Sequence, residues 1–331
     1  MNLQERIELL TELGIFLEKN EPEWQDAKIR AHQQNPWFTH AFTDIATENI
    51  VQNFLQKDKL QHWAKHYHLD DNIVPKNTGI VMAGNIPMVG FHDFLAAFIS
   101  GHRQTIKLSS KDDVLLPFLI NKLSGWNGNV QKSVIISEML KGCDAYIATG
   151  SNNSARYFEQ YFEKYPHIIR RNKTSVAILT GNESIAALEK LADDIHLYFG
   201  MGCRNVTKLW VPQGYDFVPL LGTFNRYSYF MDQHKYKNNY DYQLSIMLLN
   251  NIFYMTNGST LLIENPAIFS PISVLHYEFY DAGQQVPGIA ENAADIQCTV
   301  GQEHTPFGTA QSPGLFSYAD GVDTMQFLLT L

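Results

Sequence analysis

The sequence is short of several features that would settle a function at once. It has only three cysteines, Cys143, Cys203 and Cys298. They form no CxxC pair, and an odd number of widely spaced thiols is no disulfide framework, so the expected setting is a reducing, cytoplasmic one. No apolar run approaches the roughly 20 residues that span a bilayer. The longest lies near FLAAFIS, and MNLQERIELLTELGIFLEKN at the N-terminus carries charges throughout, reading as an amphipathic helix rather than a signal peptide. Basic residues are too few for a nucleic-acid footprint: the net charge is −9, and no Lys/Arg run interrupts it. There is no GxSxG elbow and no Walker loop, which removes several hydrolase and kinase readings. No repeat, low-complexity tract or Gly/Ser linker divides the chain.

What is present is ordinary globular composition, 45% hydrophobic over 331 residues, with room for about two domains. Residues 1 to about 68 read as helical: Ile7, Leu10, Leu13 and Phe16 recur at helical spacing, and a second helical segment covers 44–67. QQNPWFT breaks the region, because Pro36 biases Asn35 out of the helical basin. From residue 78 strands and helices alternate. TGIVMAGN, QTIKLSS, KSVIIS, DAYIATGS and TSVAILTG are apolar strands. MVGFHDFLAAFISG, DDVLLPFLINKLSG and NNSARYFEQYFEKY are helices between them, the last opening on Asn and Ser capping residues. Continuous apolar strands alternating with helices predict a parallel sheet covered on both faces, the doubly wound arrangement. The helix ESIAALEKLADDIHLYFG follows, with Ile185, Leu188, Leu191, Ala192, Ile195 and Phe199 on one stripe. NVTKLWVP then resumes strand character. The expected division is 1–180 for the N-terminal helices and dinucleotide-binding domain, and 181–331 for a second, catalytic domain.

Candidate chemistry begins at YFGMGCRN, where Cys203 sits between two glycines and Arg204 in a helix-to-strand connection. It can be a small apolar core residue or a reactive thiol; rigid elements on both sides of a loop favour the second. Gly150-Ser151 stands at a strand end and at the mouth of a helix, where backbone N–H groups favour anionic oxygens, although an ordinary turn reads the same way. Lys107 ends a short strand; it either snorkels to water or contacts a ribose or phosphate. His62 and His66 lie one helical turn apart in LQHWAKHYHLDD, but no third metal ligand is evident. RYSYFMDQHKYKNNYDYQ interleaves aromatics with charges, and in an acidic chain it reads as a half-buried helix pair rather than a base-stacking surface.

Several segments, in order, resemble the aldehyde dehydrogenase superfamily and, more closely, the bacterial acyl-CoA reductase family, which includes the fatty-acid reductase of bioluminescence systems. They are GNIPMVGFHDFLAAFISGHRQTIKLSS, IATGSNNSARYF, YFGMGCRNVTKLWVPQGYDF with Lys208 five positions after the cysteine, AIFSPISVL, and PFGTAQSPGLFSYADGVDTMQFL, with NPWFT as a further match. The resemblance implies an α/β fold of the aldehyde dehydrogenase type, with a doubly wound cofactor domain and a second α/β catalytic domain. By position it makes Cys203 the nucleophile and Asn85 the side-chain amide of the oxyanion hole. Lys107 and Ser109 would meet the adenosine side of a nicotinamide cofactor, Gly150 and Ser151 its pyrophosphate and nicotinamide end, and Phe269 its nicotinamide ribose. AILTG puts Ile178 where hydrolytic members carry the glutamate that activates water. Ala267 replaces a ribose-binding glutamate. Ser110 and Lys111, where an NAD-selective carboxylate often stands, suit a 2′-phosphate, so NADPH is expected and NADH is possible. The implied reaction is reduction of a fatty acyl-CoA to aldehyde and free CoA through an acyl-cysteine, with His304 a candidate proton donor. A homo-oligomer and an acyl-transferring partner protein are expected. A cysteine acyltransferase or thioesterase, and a non-catalytic scaffold, are the competing readings.

Overall fold

In a computed structural model the chain is described at residues 1–281, 286 and 288–331, and it divides into two compact units. The first comprises Met1–Asn172 with Pro313–Leu331, the second Lys173–Ser312.

The first unit opens with four helices: α1 (Leu3–Lys19), α2 (Pro22–Gln34), α3 (His40–Phe54) and α4 (Lys57–His66). Asn2 and Glu5 form a reciprocal capping box that starts α1, satisfying orphan N–H groups at its end. Pro22 sits at the first position of α2, where its missing donor costs nothing. The chain then alternates: β1 (Asn77–Val81), α5 (Phe91–Ser100), β2 (Arg103–Lys107), α6 (Leu115–Trp126), α7 (Val130–Ser133), β3 (Val134–Ile136), β4 (Ala145–Thr149), α8 (Asn152–Phe162) and β5 (His167–Arg170). All five strands are parallel, in the order β3-β2-β1-β4-β5. Connections therefore run outward from β1 in one direction and, after β4, in the other. Ile80, Ile106 and Ile147 are fully buried at the sheet's centre. Helix α5 is buried nearly all round and packs against α1 as well as β2. Gly101 ends it in the left-handed conformation, φ 89°, which glycine adopts without penalty.

The second unit holds β6 (Thr174–Ile178), α9 (Ile185–His196), β7 (Val206–Pro212), α10 (Val218–Thr223), α11 (His234–Leu249), β8 (Met255–Thr256), β9 (Leu261–Glu264), β10 (Val274–Tyr280) and β11 (Ile296–Val300). Its six-stranded sheet has the order β11-β6-β7-β10-β9-β8, parallel except for the edge strand β8. Val176, Trp210 and Ile268 form one core cluster, and Tyr240, Met247, Leu261, Ile263 and Val274 another.

The final stretch rejoins the first unit, where α12 (Thr324–Leu329) packs against α5. Hydrogen bonds explain the return. Trp63 donates to the Tyr318 hydroxyl (3.0 Å), His92 reaches the Leu315 carbonyl (3.0 Å), and His102 the Leu328 carbonyl (2.9 Å). Arg170 pairs with Asp93, both almost fully buried, and donates to Thr324. The division expected after residue 180 thus falls at 172/173, and residues 313–331 do not belong with the cysteine unit.

Two smaller expectations are also corrected. The helical segment over 44–67 is α3 and α4, separated at Leu55 and Gln56. Ile185 leaves the apolar stripe of α9: it is 55% exposed, as the first residue after the Ser184 cap.

Candidate active site

In the first unit, parallel strands put the same end of every strand on one edge of the sheet. Lys107 closes β2, in register with Val81 at the end of β1. Asn85 follows β1 in the loop to α5, and Gly150-Ser151 follow β4. All the residues predicted for this domain, Asn85, Lys107, Ser109, Gly150 and Ser151, therefore collect at the carboxyl edge. That edge contains the point between β1 and β4 where the strand order reverses, the usual crevice for ligands in open α/β sheets.

The loops there are closely fitted. A Cβ on Gly84 would lie 2.6 Å from the Ser109 hydroxyl, and one on Gly150 2.9 Å from Ser154 and Phe158. Glycine at both positions lets the β1 and β4 loops lie against their neighbours. The Ser151 hydroxyl caps α8 by accepting from Ser154 N (3.2 Å). Ser109 Oγ accepts from Lys111 N (3.2 Å). Lys107, Ser110, Lys111 and Ser151 are exposed, and Asn85 is half-buried. Asp112, which sequence reasoning passed over, is buried and holds the Asn85 loop: its Oδ2 accepts from Met88 N at 2.7 Å. Burial, opposed by that N–H and aided by neighbouring Asp113, pushes its carboxyl up to about 7.

In the second unit Cys203 is half-buried and in no disulfide. It follows an unusual turn. Tyr198 and Phe199 have φ 56°, and Gly200 has φ 74°, three consecutive left-handed residues of which only the last is glycine. The Phe199 ring packs on Phe230 and Tyr236, centroids 4.5 and 5.7 Å away; such burial offsets the backbone cost of roughly 1–2 kcal/mol per residue. The turn closes through Asn205, fully buried. Its Oδ1 accepts from Gly202 N (2.7 Å), and its Nδ2 lies 3.2, 3.1 and 2.8 Å from the carbonyl oxygens of Asp194, Ile195 and Leu197 at the end of α9. Asp194 in turn accepts from Gly308 N and Ala310 N (2.6 and 3.0 Å). Burial raises its carboxyl to about 6 against those two N–H groups.

The Cys203 carbonyl accepts from Ser175 Oγ (3.1 Å), which also lies 3.0 Å from Cys298 Sγ. Thr207, four residues after the cysteine, donates to the Ile268 carbonyl (2.6 Å). The neighbouring Phe269, 42% exposed, is thereby held at the amino end of β7, the same edge as Cys203. Lys208 points to another job: fully buried, it bonds Glu278 (2.8 Å) and the Asn265 carbonyl. Burial lowers its pKa against the pull of Glu278.

Ile178 is not beside the thiol. Cys203 is anchored at Ser175, near the start of β6, and Ile178 is the last residue of that strand, roughly 10 Å further on. His304 belongs with Ile178: a Cβ on Gly301 would lie 3.0 Å from the Ile178 carbonyl oxygen and 3.5 Å from His304 Cδ2. Both the missing-glutamate argument and the proton-donor assignment therefore lapse. His62 and His66 set their rings edge-on to Phe316, and among the described residues no cluster of metal ligands occurs. No helix among those residues is long and apolar enough to cross a membrane.

Solved structures carry the same arrangement of elements. The NAD-dependent aldehyde dehydrogenase of Sinorhizobium meliloti matches with a TM-score of 0.67 and 12% identity, over 91% of this chain and 70% of that one. P. syringae AldA, an indole-3-acetaldehyde dehydrogenase solved as a mutant with NAD+ and IAA, gives 0.66 and 11%, over 91% and 72%. The NAD+ complex of the Bacillus cereus aldehyde dehydrogenase gives 0.64 and 12%, over 91% and 72%. At these identities the likeness defines the fold, which is that of the aldehyde dehydrogenases. None of the curated proteins matches the sequence. A family model, however, described as Acyl-CoA reductase (LuxC), matches residues 44–217, just over half of the chain, and the chain belongs to that family. It is an oxidoreductase of the acyl and aldehyde level.

Proposed function

We propose that the chain reduces an acyl-CoA thioester to the aldehyde, releasing CoA, with NADPH as the preferred reductant and Cys203 as the nucleophile. The observation that carries this is the family match over 44–217, a span that contains Asn85, Lys107, Ser109, Gly150, Ser151 and Cys203. The carboxyl edge of the first sheet fits a dinucleotide. Gly84 and Gly150 leave no room for a side chain, and the amino end of α8 favours phosphate oxygens. Lys107 and Ser109 would hold the adenosine side, Gly150 and Ser151 the pyrophosphate, and Phe269 the nicotinamide ribose. The preference for NADPH rests on the exposed Ser110 and Lys111; Asp112 is turned onto Met88, and Asp113 accepts from Gln34 (2.5 Å). Reduced nicotinamide, when bound, supplies the hydride.

The chain's own residues do the rest. The Cys203 thiolate attacks the thioester carbonyl carbon; a new C–S bond forms, the bond to CoA breaks, and CoA leaves as its thiolate. Asn85 donates to the oxyanion, in this step and again when hydride has reached the acyl carbon; one such donor is worth about 3–4 kcal/mol of barrier. The tetrahedral alkoxide then collapses: its C–S bond breaks, aldehyde leaves and the Cys203 thiolate is restored, while the departed CoA thiolate takes up the reaction's one proton from solvent. Fatty acyl chains are the expected substrates, and an acyl-transferring partner and a homo-oligomer belong to the same reading.

The test follows nicotinamide oxidation, free CoA and aldehyde with acyl-CoAs of several chain lengths. Cys203→Ala should abolish turnover while nicotinamide binding survives, and Asn85→Ala should lower kcat by about 100-fold or more. Turnover that persists in Cys203→Ala rejects the nucleophile. Cys203-dependent CoA release without nicotinamide oxidation points to a transferase or thioesterase.

A further inference from the structure

The Asn205 contacts have a consequence for the thiol itself. Three backbone oxygens, of Asp194, Ile195 and Leu197, crowd the carboxyl end of α9, and all three lie within hydrogen-bond distance of one buried amide nitrogen. A helix end of this kind carries roughly half a negative charge. The cysteine turn begins at Tyr198, the residue after Leu197, and is pinned back to the same helix end through Gly202 N. An amide at 205 is the right group for both tasks, because it offers an acceptor on one side and two donors on the other. Aspartate would offer no donor.

We infer that Asn205 is the positioning residue of the nucleophile: it fixes the turn that presents Cys203 and takes up the carbonyl oxygens that would otherwise set negative charge close to the thiolate. The inference rests on Cys203 being the nucleophile. Most other charged and titratable groups around the turn are committed elsewhere. Asp194 is held by Gly308 and Ala310, and His196 by Ala192 O and Thr260 Oγ1 (2.8 and 2.9 Å). Cys298 bonds Ser175. Arg204, adjacent in the chain, is half-buried.

The experiment measures alkylation of Cys203 by iodoacetamide against pH, read on the Cys203 peptide by mass spectrometry so that Cys143 and Cys298 do not interfere. In the wild-type chain the midpoint should fall below the ~8.5 of a free thiol. Asn205→Asp and the milder Asn205→Ser should raise it by about one pH unit, slowing alkylation at neutral pH about tenfold. They should lower kcat for acyl-CoA reduction by at least that factor, with KM for NADPH unchanged and the more conservative serine closer to wild type. Folded variants with the wild-type midpoint and kcat would overturn the inference. A wild-type midpoint no lower than a free thiol would also overturn it, and that measurement needs no variant to fold. Failure of the nucleophile reading shows separately, as reductase activity retained by Cys203→Ala.

Discussion

Single residues carry the unusual conformations and charges. The left-handed run Tyr198-Phe199-Gly200 is held by aromatic packing on one side and by Asn205 on the other, and strain of this sort persists only where the surroundings over-determine it. Two buried titratable groups make the stability depend on pH in opposite senses. Asp112 has its folded carboxyl raised to about 7, chiefly by burial. The folded state then holds a proton that the unfolded chain gives up near pH 4, so this contribution is lost as pH rises from about 4 to 7. Asp112→Asn should flatten that part of the profile and raise stability at pH 8 by roughly 1–3 kcal/mol, read from urea midpoints. His196 is lowered to about 4, again chiefly by burial, among the rings of Phe224, Tyr227 and Phe230. Its unfolded form takes up a proton near 6.5 while the folded form does not, so stability falls as pH drops from about 6.5 to 4. His196→Gln should remove that acid-side loss in the same titration.

At the scale of the element, the decisive feature is that five parallel strands end on one edge. Two of the connections there are closely fitted, at Gly84 after β1 and at Gly150 after β4, and Gly84 tests that fit. A methyl group at 84 would meet the Ser109 hydroxyl at 2.6 Å and its Cβ at 2.7 Å, well inside contact distance. Gly84→Ala should therefore push the β2 loop away. The expected outcome is a KM for NADPH raised about tenfold or more, with the melting temperature moved by only a few degrees, as for a surface-loop overpacking of about 1–3 kcal/mol. An unchanged KM would remove Ser109 from the cofactor edge. Helix α8 shows the complementary design. Its cap, Ser151, and the preceding Gly150 are polar or small where the predicted pyrophosphate would lie, while Ala155 is buried.

At the scale of the whole molecule, the two units are not two halves of the chain. Residues 313–331 return to the first unit, where Tyr318, Thr324 and Leu328 meet Trp63, Arg170 and His102. Arg170 and Asp93 are 3% and 6% exposed, so removing one leaves a buried charge unpaired. Arg170→Ala should destabilise the first unit by about 3–5 kcal/mol, measured by chemical denaturation. The double replacement Asp93→Asn, Arg170→Met should recover a large part of that loss. A single variant as stable as wild type would show that the pair does not hold the C-terminal segment.

Local patterns were legible because their causes are local. Apolar runs of strand length, the Gly101 stop, the Ser151 cap and the order of βα units determined the parallel α/β class and placed Asn85, Lys107, Ser109, Gly150 and Ser151 after the strands that bring them to one edge. Cys203 stands out as a candidate from its glycines and its place before β7. What depended on distant partners was hidden. Strands β5, β8 and β9 have four residues or fewer and β11 is mostly half-buried; these, and the seven-residue β10, are set by their neighbours in the sheets rather than by a local pattern. The recruitment of 313–331 to the first unit is made by hydrogen bonds spanning most of the chain. Ile178 looked like the residue beside the thiol by motif position, but the sheet register puts it at the far end of β6. Asn205 looked like the first residue of a strand; that one amide gathers three carbonyl oxygens is a fact of where α9 ends. Periodicity and capping act over a few residues and can be read in order, whereas the surroundings of a buried amide or a thiol are set by segments that meet only once the chain has folded.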